Sequence, residues 1–371
     1  MNKTPLYEKH IVLNARMVDF AGYAMPVMYA GIKEEYLSVR NNCGIFDISH
    51  MAPYLVSGEN PDELLAFLNY ITCRDVQPLK DGKIQYNAIT SEKGGLIDDI
   101  TIYKINSSNY ILLVNASNSQ PVANHLSSIQ QNKYKSIQVQ GYDNYVLLAV
   151  QGKNSEQILK NIIPSTKNPI ESLFFYEFTL FTNQSKPCFL SRTGYTGEDG
   201  FEALLPAEDG IRLWDKLVQN GVQPCGLGAR DILRMEVFYP LYGNELGFTR
   251  TPLESSLDWI VSSKKEYLGK DEIFKKPVQI KITGFIMKNK GGLPRSHYSI
   301  ENKEGNVIGE VTSGAFSFLW DRGFGMAIIP IEYCKDGEII YIDVRGVKNE
   351  AVIHLKSPYN GSIKRRPRQI N

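Results

Sequence analysis

Two adjacent carboxylates stand in a segment that otherwise has the composition of a buried strand. Residues 94–103 read GGLIDDITIY, with Asp98 and Asp99 at the centre. Acidic side chains lie in apolar strands only when they have a partner or a chemical role, such as general acid–base catalysis. Neighbours in a strand face opposite sides, so we expect one carboxylate to point toward a cavity or the core and the other outward. A turn with one structurally satisfied acid is the alternative interpretation.

A glycine-rich segment is the second candidate. Residues 191–202 read SRTGYTGEDGFE, which places three glycines in seven residues with acids between them. This composition predicts a tight surface loop whose backbone can approach a ligand closely. The acids do not have the spacing of an EF-hand, and no phosphate-loop lysine follows. A plain hairpin is the alternative.

The third candidate is a glycine-rich entry to a predicted helix. Residues 225–236 read CGLGARDILRME. The free N–H groups at such a helix start favour an anion or a carbonyl oxygen. The GxGxxG pattern of a dinucleotide fold is missing. Arg230 and Arg234 could also decorate a solvated helix face beside Asp231 and Glu236.

The histidines and cysteines indicate neither a nucleophilic triad nor a metal site. None of the five histidines lies in a GxSxG or Cys/His context. His50 stands beside Asp47 and Ser49, a setting more typical of a structural histidine. The five cysteines include no CxxC pair, which predicts free, buried thiols in a reducing compartment. We expect no metal.

Composition bounds the class of protein. A chain of 371 residues is longer than a single compact domain normally is, so two or three domains are expected. Its 43% apolar and 22% charged residues are typical of a globular protein. A net charge of +1 supplies no global field for nucleic acid or an anionic membrane. No apolar run approaches the ~20 residues of a membrane span, and no targeting segment is visible, so we expect a cytoplasmic protein. The one basic cluster is C-terminal, at Lys364, Arg365, Arg366 and Arg368; it is a solvated end unless an anion meets it.

The elements that must position these residues form an α+β pattern, because strands cluster without regular alternation with helices. Apolar periodicity predicts helices over residues 32–40, 62–68, 118–129, 155–163 and 211–219. Strands are predicted over 44–48, 54–58, 84–89, 96–105, 110–114 and 146–151. From residue 279 onward only short strands are predicted, over 280–287, 298–300, 307–311, 325–329, 339–344 and 351–355. They indicate a separate C-terminal β-barrel domain.

Six segments together resemble the signatures of the glycine cleavage T-protein family, in that family's order. They are 4–10 (TPLYEKH), 15–23 (ARMVDFAGY), 46–51 (FDISHM), 94–99 (GGLIDD), 191–202 and 226–231 (GLGARD). The resemblance implies a three-domain α+β cloverleaf around a central folate-binding opening, with a C-terminal β-barrel. It places the first domain at 1–52 plus 143–250, the second at 53–142 plus 251–278, and the barrel at 279–371.

The resemblance also implies an activity. Members of that family are aminomethyltransferases of glycine catabolism and one-carbon metabolism. They take an aminomethyl group from the lipoyl arm of H-protein, release ammonia and form 5,10-methylenetetrahydrofolate. Tetrahydrofolate would therefore be the co-substrate and H-protein the partner, with no metal, nucleic acid or membrane involved.

Residue by residue, Asp99 matches the family's catalytic aspartate and Glu202 its pterin anchor. Arg230 and Arg365 match arginines at the folate site, where they would meet the two carboxylates of the glutamate tail; the register of the second among residues 364–366 is open. Further positions resemble lining residues of the same site, although ordinary core packing is the alternative for the aromatics. They are Met51, Tyr86, Tyr103, Asn115, Tyr195 and Trp259.

Two segments depart from the family pattern. Residues 246–252 read LGFTRTP where the family usually has an acidic pair before a proline, and 312–322 read TSGAFSFLWDR where it commonly has Thr-Ser-Gly-x-x-Ser-Pro. One alternative is a related demethylase that uses a free donor, such as dimethylsulfoniopropionate or an N-methyl amine. Another is a non-catalytic folate-binding protein resembling the iron-sulfur assembly factor of the superfamily. That branch has KGCYxGQE where residues 192–198 contain no cysteine.

Overall fold

A computed structural model describes residues 1–163, 165–183, 186–275 and 277–365. The helices are α1 Tyr7–Val12, α2 Ile32–Asn41, α3 Pro61–Ile71, α4 Ser119–Lys133, α5 Ser155–Ile162, α6 Ala207–Gln219, α7 Leu227–Glu236 and α8 Lys270–Lys275. The strands before the barrel are β1 Arg16–Phe20, β2 Tyr23–Met28, β3 Gly44–Asp47, β4 Ala52–Ser57, β5 Ile84–Thr90, β6 Leu96–Asn106, β7 Asn109–Val114, β8 Gln138–Gly141, β9 Tyr145–Gln151, β10 Glu177–Asn183, β11 Lys186–Arg192, β12 Gly200–Pro206 and β13 Gln223–Pro224. The barrel strands are β14 Ile280–Met287, β15 Ser299–Glu301, β16 Val307–Ser317, β17 Arg322–Pro330, β18 Ile339–Val344 and β19 Val347–His354.

The first sheet has six strands in the order β10-β11-β12-β9-β3-β13. Adjacent strands in this sheet are antiparallel, except that β13 runs parallel to β3. Helix α6 covers one face and buries Leu213, Trp214 and Leu217, part of the stripe that the sequence predicted. The chain leaves this sheet after β3 and re-enters at β9, so the sheet is discontinuous in sequence.

The excursion between β3 and β9 builds the second sheet, which is antiparallel with the order β5-β6-β7-β4-β8. Helix α3 packs on it through Leu64, Phe67 and Leu68. The side chain of Asn60 caps this helix by accepting from the backbone N–H groups of Asp62 and Glu63. The domain boundaries that the resemblance implies remain a prediction.

The third unit is a closed six-stranded barrel in the order β14-β17-β16-β15-β18-β19. All six strands were predicted from the sequence, although β16 continues six residues beyond the predicted end. The predicted α+β fold with a C-terminal β-barrel is confirmed. Among the helices of the described residues, none is long and apolar enough to cross a membrane.

A buried hydrogen-bond network around the Arg234–Glu245 ion pair joins α7 to the barrel. Arg234 donates to Glu245 (2.9 Å) and to the hydroxyl of Ser313 (2.8 Å), and Ser313 donates to the other oxygen of Glu245 (2.6 Å). Arg234 is 1% exposed. The alternative that it decorates a solvated helix face is therefore wrong. Ser313 belongs to the Thr-Ser-Gly stretch at 312–314, which matches the family pattern; the departure begins at Phe318.

Residues 355–365, called here the C-terminal segment, fold back over the loop at 194–199. The hydroxyls of Tyr359 and Ser362 both donate to the carboxylate of Glu198, which is 1% exposed. A Cβ on Gly361, whose φ is +62°, would lie 1.9 Å from the carbonyl oxygen of Gly197. The predicted tight surface loop is thus a covered one, because the chain end packs on it. Arg366 and Arg368 lie outside the described residues.

Candidate functional site

The carboxylate of Asp99 is held by two donors. The hydroxyl of Tyr86 donates to Oδ2 (3.0 Å), and Nδ2 of Asn115 donates to Oδ1 (2.9 Å). Strands β5 and β6 place Ala88 opposite Asp99, so Tyr86 is its diagonal neighbour on the same face of the sheet. Asn115 follows the end of β7 directly. Three consecutive strands of the second sheet therefore supply this carboxylate and its partners.

Asp98 faces the other side of β6 and is fully buried. It accepts from the backbone N–H of Asn115 (2.8 Å), from the Asn115 side chain (2.9 Å) and from the side chain of Asn118. Asp98 is thus the acid that points into the core, and Asp99 on the opposite face of the strand is only half-buried. The turn before α4 covers the second face of the sheet and supplies the amides that satisfy Asp98.

Burial raises the pKa of both carboxyls above their usual range. At Asp99 the hydrogen bonds from Tyr86 and Asn115 oppose this effect. Burial and then the charge of Asp99 raise the pKa of Tyr86 well above 10, so this phenol stays a hydrogen-bond donor. A carboxyl whose pKa is raised toward 7 can accept and return a proton near neutral pH.

Glu202 forms a second polar centre on β12. The hydroxyl of Thr193 donates to its carboxylate (2.6 Å), and burial raises its pKa while Thr193 and Arg230 oppose the effect. Opposite Glu202 in the sheet stands Ser191, whose hydroxyl lies 3.2 Å from that of Tyr103. The remaining acceptor capacity of Glu202 is free to meet N–H donors of a ligand.

Arg230 projects from α7 toward this centre. Its guanidinium lies 5.0 Å from the ring centroid of Tyr195, and burial lowers its pKa while Glu202 and Tyr195 counteract this. This is a contact with the ring face, and among the described residues no group hydrogen-bonds to the guanidinium. The solvated-face alternative is wrong for Arg230 too. A partly buried arginine with free donors suits a planar anion or carbonyl.

Aromatic side chains connect the two centres. Tyr195 stacks on Tyr239 (5.9 Å, 29°) and donates its hydroxyl to the carbonyl oxygen of Pro240. Tyr103 lies on the same strand as Asp99 and its hydroxyl is 3.2 Å from that of Ser191, the residue opposite Glu202, so the two centres are neighbours. The charge of Asp99 raises the pKa of Tyr195, after the larger effects of burial and Arg234. Tyr86 stacks on Trp259 (5.7 Å, 16°), whose side chain is 62% exposed. Trp259 therefore forms a rim.

The other two predicted positions lie at the periphery. Met51 packs in the core between the two sheets, and its carbonyl oxygen accepts from the hydroxyl of Tyr145 (2.6 Å). Arg365 lies 5.4 Å from the ring centroid of Phe175, and its charge lowers the pKa of Tyr239 against the larger effect of burial. The exposed Arg365 thus stands at the edge of the Tyr195–Tyr239 stack.

Two family models match the chain. The GCVT N-terminal domain matches residues 6–265, and the glycine cleavage T-protein C-terminal barrel domain matches residues 281–360. The chain belongs to the glycine cleavage T-protein family. The resemblance that the six sequence segments indicated is therefore confirmed.

Individual members of the T-protein family are similar over nearly the whole chain. An aminomethyltransferase of Leptospira interrogans is 41% identical over 375 residues, covering 98% of each chain. One of Thermosipho melanesiensis is 40% identical over 368 residues, covering 98% of this chain and 99% of the relative. The crystal structure of glycine cleavage system aminomethyltransferase T from Bartonella henselae aligns with a TM-score of 0.90 at 30% identity, over 98% of this chain and 99% of that one.

Sequence reasoning missed several residues of this T-protein-family site. Tyr176, which has a positive φ of +67°, packs against the core cluster that contains Tyr103. Burial, and then the charges of Tyr239 and Glu202, raise its pKa. Thr193, which orients Glu202, and Asn118, which binds Asp98, were not singled out. The FFY run at 174–176 was a weak signal for Tyr176. The other two are small polar residues whose role only tertiary contacts reveal.

Proposed function

We propose that this chain transfers the methylene carbon of an aminomethyl group, carried on the lipoyl arm of H-protein, to tetrahydrofolate and releases ammonia. Membership of the T-protein family supports aminomethyl transfer. The observation that carries the proposal for this site is Asp99, a carboxylate clamped between Tyr86 and Asn115 and adjacent to Tyr195. We place such an enzyme, and its carrier, in the cytoplasm.

The reaction requires charge stabilisation and proton transfer at one carbon. The bonds from that carbon to the amine nitrogen and to the lipoyl sulfur break, while bonds to N5 and N10 of folate form. The two folate N–H protons end on ammonia and on the thiol. An iminium-like cation develops on the way, and an adjacent carboxylate stabilises it. Asp99 can also take the proton that leaves during ring closure, because burial raises its pKa.

The second polar centre suits the folate itself. Glu202 would accept from the paired N–H donors of the pterin's aminopyrimidine edge, as charge-assisted hydrogen bonds. The stacked rings of Tyr195 and Tyr239 offer a flat apolar surface to an aromatic ligand. Arg230 and Arg365 would meet the carboxylates of the glutamate tail, for which guanidinium groups are well matched.

The test is turnover by the purified full chain with tetrahydrofolate and aminomethyl-loaded H-protein. We expect ammonia and 5,10-methylenetetrahydrofolate in equal amounts, and neither product when H-protein carries an unloaded lipoyl arm. Formation of 5-methyltetrahydrofolate from a free methyl donor would replace this proposal with the demethylase alternative. Folate binding with no product from either donor would indicate the non-catalytic alternative.

A further inference from the structure

Asp98 occupies a position that the proposed chemistry does not use. It is 0% exposed, and its three hydrogen bonds all come from N–H donors: the backbone and side chain of Asn115 and the side chain of Asn118. Because an N–H group only donates, Asp98 serves here purely as an acceptor. A buried carboxylate with this set of partners fixes the orientation of the groups that point at it.

Asn115 is the link between the two acids. Its single amino group donates at once to Asp98 Oδ1 (2.9 Å), to Asp99 Oδ1 (2.9 Å) and to the carbonyl oxygen of Asp99 (3.0 Å). If the amide of Asn115 were turned over, its carbonyl oxygen would face two carboxylates. The contacts to Asp98 and Asp99 therefore favour the same orientation of this amide, and each carboxylate supports the other's hydrogen bond.

We propose that Asp98 is a positioning residue for the reaction: it holds the Asn115 amide with its amino group toward Asp99 and so fixes the direction in which the Asp99 carboxylate points. This inference rests on the proposed function in that Asp99 is taken as the reacting carboxylate. Asp98 itself is shielded by α4 and the turn before it, and it touches no reacting atom.

Replacing Asp98 by asparagine disturbs this arrangement at one atom. The new amino group must face either the backbone N–H of Asn115 or the side-chain amino groups of Asn115 and Asn118, and two donors cannot pair. In either orientation the new amino group opposes a donor of Asn115, its backbone N–H or its side-chain amino group, so Asn115 moves and its hydrogen bond to Oδ1 of Asp99 breaks. Only Tyr86 continues to hold Asp99.

A double-mutant cycle tests the inference through kinetics. Asp98→Asn should lower kcat about 10–100-fold, the range typical for residues that orient a reacting group, while KM for tetrahydrofolate changes by less than about threefold. Asn115→Ala should have a similar effect. Because Asp98 acts through Asn115, adding Asp98→Asn to Asn115→Ala should cost less than about a further threefold. Leu126→Ala, a change at a buried apolar residue of α4 in the core of the second sheet, is the control for lost stability and should keep kcat.

A crystal structure of the Asp98→Asn variant gives a readout that does not depend on the reaction. We expect the side chain of Asn115 to lie beyond hydrogen-bond distance from Asp99 Oδ1. Multiplicative effects in the cycle, an unchanged kcat, or an undisturbed Asn115–Asp99 contact would each overturn the inference. A wild-type protein without aminomethyl transfer would overturn the proposed function instead, and the crystal structure would still decide the role of Asp98.

Discussion

At the scale of single residues, the site contains two carboxylates. Burial makes ionisation of each unfavourable, and hydrogen-bond donors partly offset this effect. Asp99 has two donors, Tyr86 and Asn115, and Glu202 has Thr193 with Arg230 nearby. Neither acid has an ion-pair partner at contact distance among the described residues. Both therefore retain the capacity to bind a cation or a donor, which a closed salt bridge would remove.

The raised pKa of Asp99 predicts a pH-dependent gain in stability for the Asp99→Asn variant. A carboxyl whose pKa is higher in the folded than in the unfolded state binds its proton more tightly in the folded state. As pH rises between these two pKa values, the ionised carboxylate therefore destabilises the folded state increasingly. The variant lacks this cost. Its free energy of unfolding should exceed that of the wild type by on the order of 1 kcal/mol at about pH 8, and the gain should vanish near pH 4.

Urea unfolding at both pH values measures this gain. The exposed Asp81, 63% of whose side chain is accessible, provides the control, since Asp81→Asn should show no such gain at either pH. A gain for Asp99→Asn that is equal at both pH values would show that burial does not raise the pKa of this carboxyl.

Glu202→Gln should weaken binding of tetrahydrofolate and leave turnover at saturating folate nearly unchanged. The glutamine replaces one charged acceptor by an amide and loses about 1.5–3 kcal/mol of charge-assisted hydrogen bonding, a rise in Kd of roughly 10–100-fold. Titration calorimetry with the folate measures the change. The matched control is Glu208→Gln on α6, where 82% of the side chain is exposed. Equal folate affinity of the wild type and Glu202→Gln would remove Glu202 from the binding site.

At the scale of elements, strands were predicted well where hydrophobic alternation was clear. The β5–β6–β7 segment, which supplies Tyr86, Asp99 and Asn115, and all six barrel strands follow from the sequence pattern. Strand β10 and the β1–β2 hairpin were not predicted, and β11 and β12 were anticipated only through the hairpin alternative for the glycine-rich segment. Ser191 and Glu202 stand opposite each other in a sheet, a pairing that depends on register and that no local pattern reveals.

The C-terminal segment shows a second limit of sequence reasoning. Its basic residues suggested a solvated end, yet Lys364 donates to Glu156 (3.2 Å), and its carbonyl oxygen accepts from the backbone N–H of Phe175 (2.9 Å). The segment crosses from the barrel to the first sheet, a contact between residues more than 160 positions apart. It holds the loop at 194–199, which carries Tyr195, and brings Arg365 to the stacked aromatics.

Removing the two hydroxyls that hold this segment should loosen the loop that carries Tyr195. Tyr359→Phe combined with Ser362→Ala leaves the buried Glu198 with Arg40 as its remaining side-chain partner. We expect a loss of about 1–3 kcal/mol in the free energy of unfolding and a higher KM for tetrahydrofolate. Tyr298→Phe removes a barrel hydroxyl that has no hydrogen-bond partner in the described part of the chain, and it should change neither quantity. If the double variant matches the wild type in both, the segment does not position the loop.

At the scale of the whole molecule, a network of buried polar and charged groups joins α2, α7 and the barrel. Glu236 at the end of α7 accepts from Arg40 of α2 (2.7 Å), from Tyr36 (2.8 Å) and from Ser317 of the barrel (2.6 Å). Breaking such a network is costly, because it leaves a buried charge without a partner. The network therefore fixes the relative placement of α2, α7 and the barrel beside Arg230.

The site draws on this placement, since Asp99 comes from the second sheet while Glu202 comes from the first and Arg230 from α7. Their convergence is the part of the site that sequence could give only through the family resemblance. Hydrophobic periodicity predicts single elements such as β6, but it does not predict which faces of separate elements approach one another. The central claim is that Asp99, at this junction, performs the chemistry of aminomethyl transfer while other residues bind the folate.

The most direct test of that claim is the single-turnover rate of Asp99→Asn with aminomethyl-loaded H-protein and saturating tetrahydrofolate. We predict folate binding within about threefold of the wild type and a rate lower by at least ~100-fold, as expected for the loss of a proton-transferring and charge-stabilising group. Asp81→Asn should keep both values. A rate for Asp99→Asn within about twofold of the wild type would contradict the account, because the carboxylate would then have no part in the reaction.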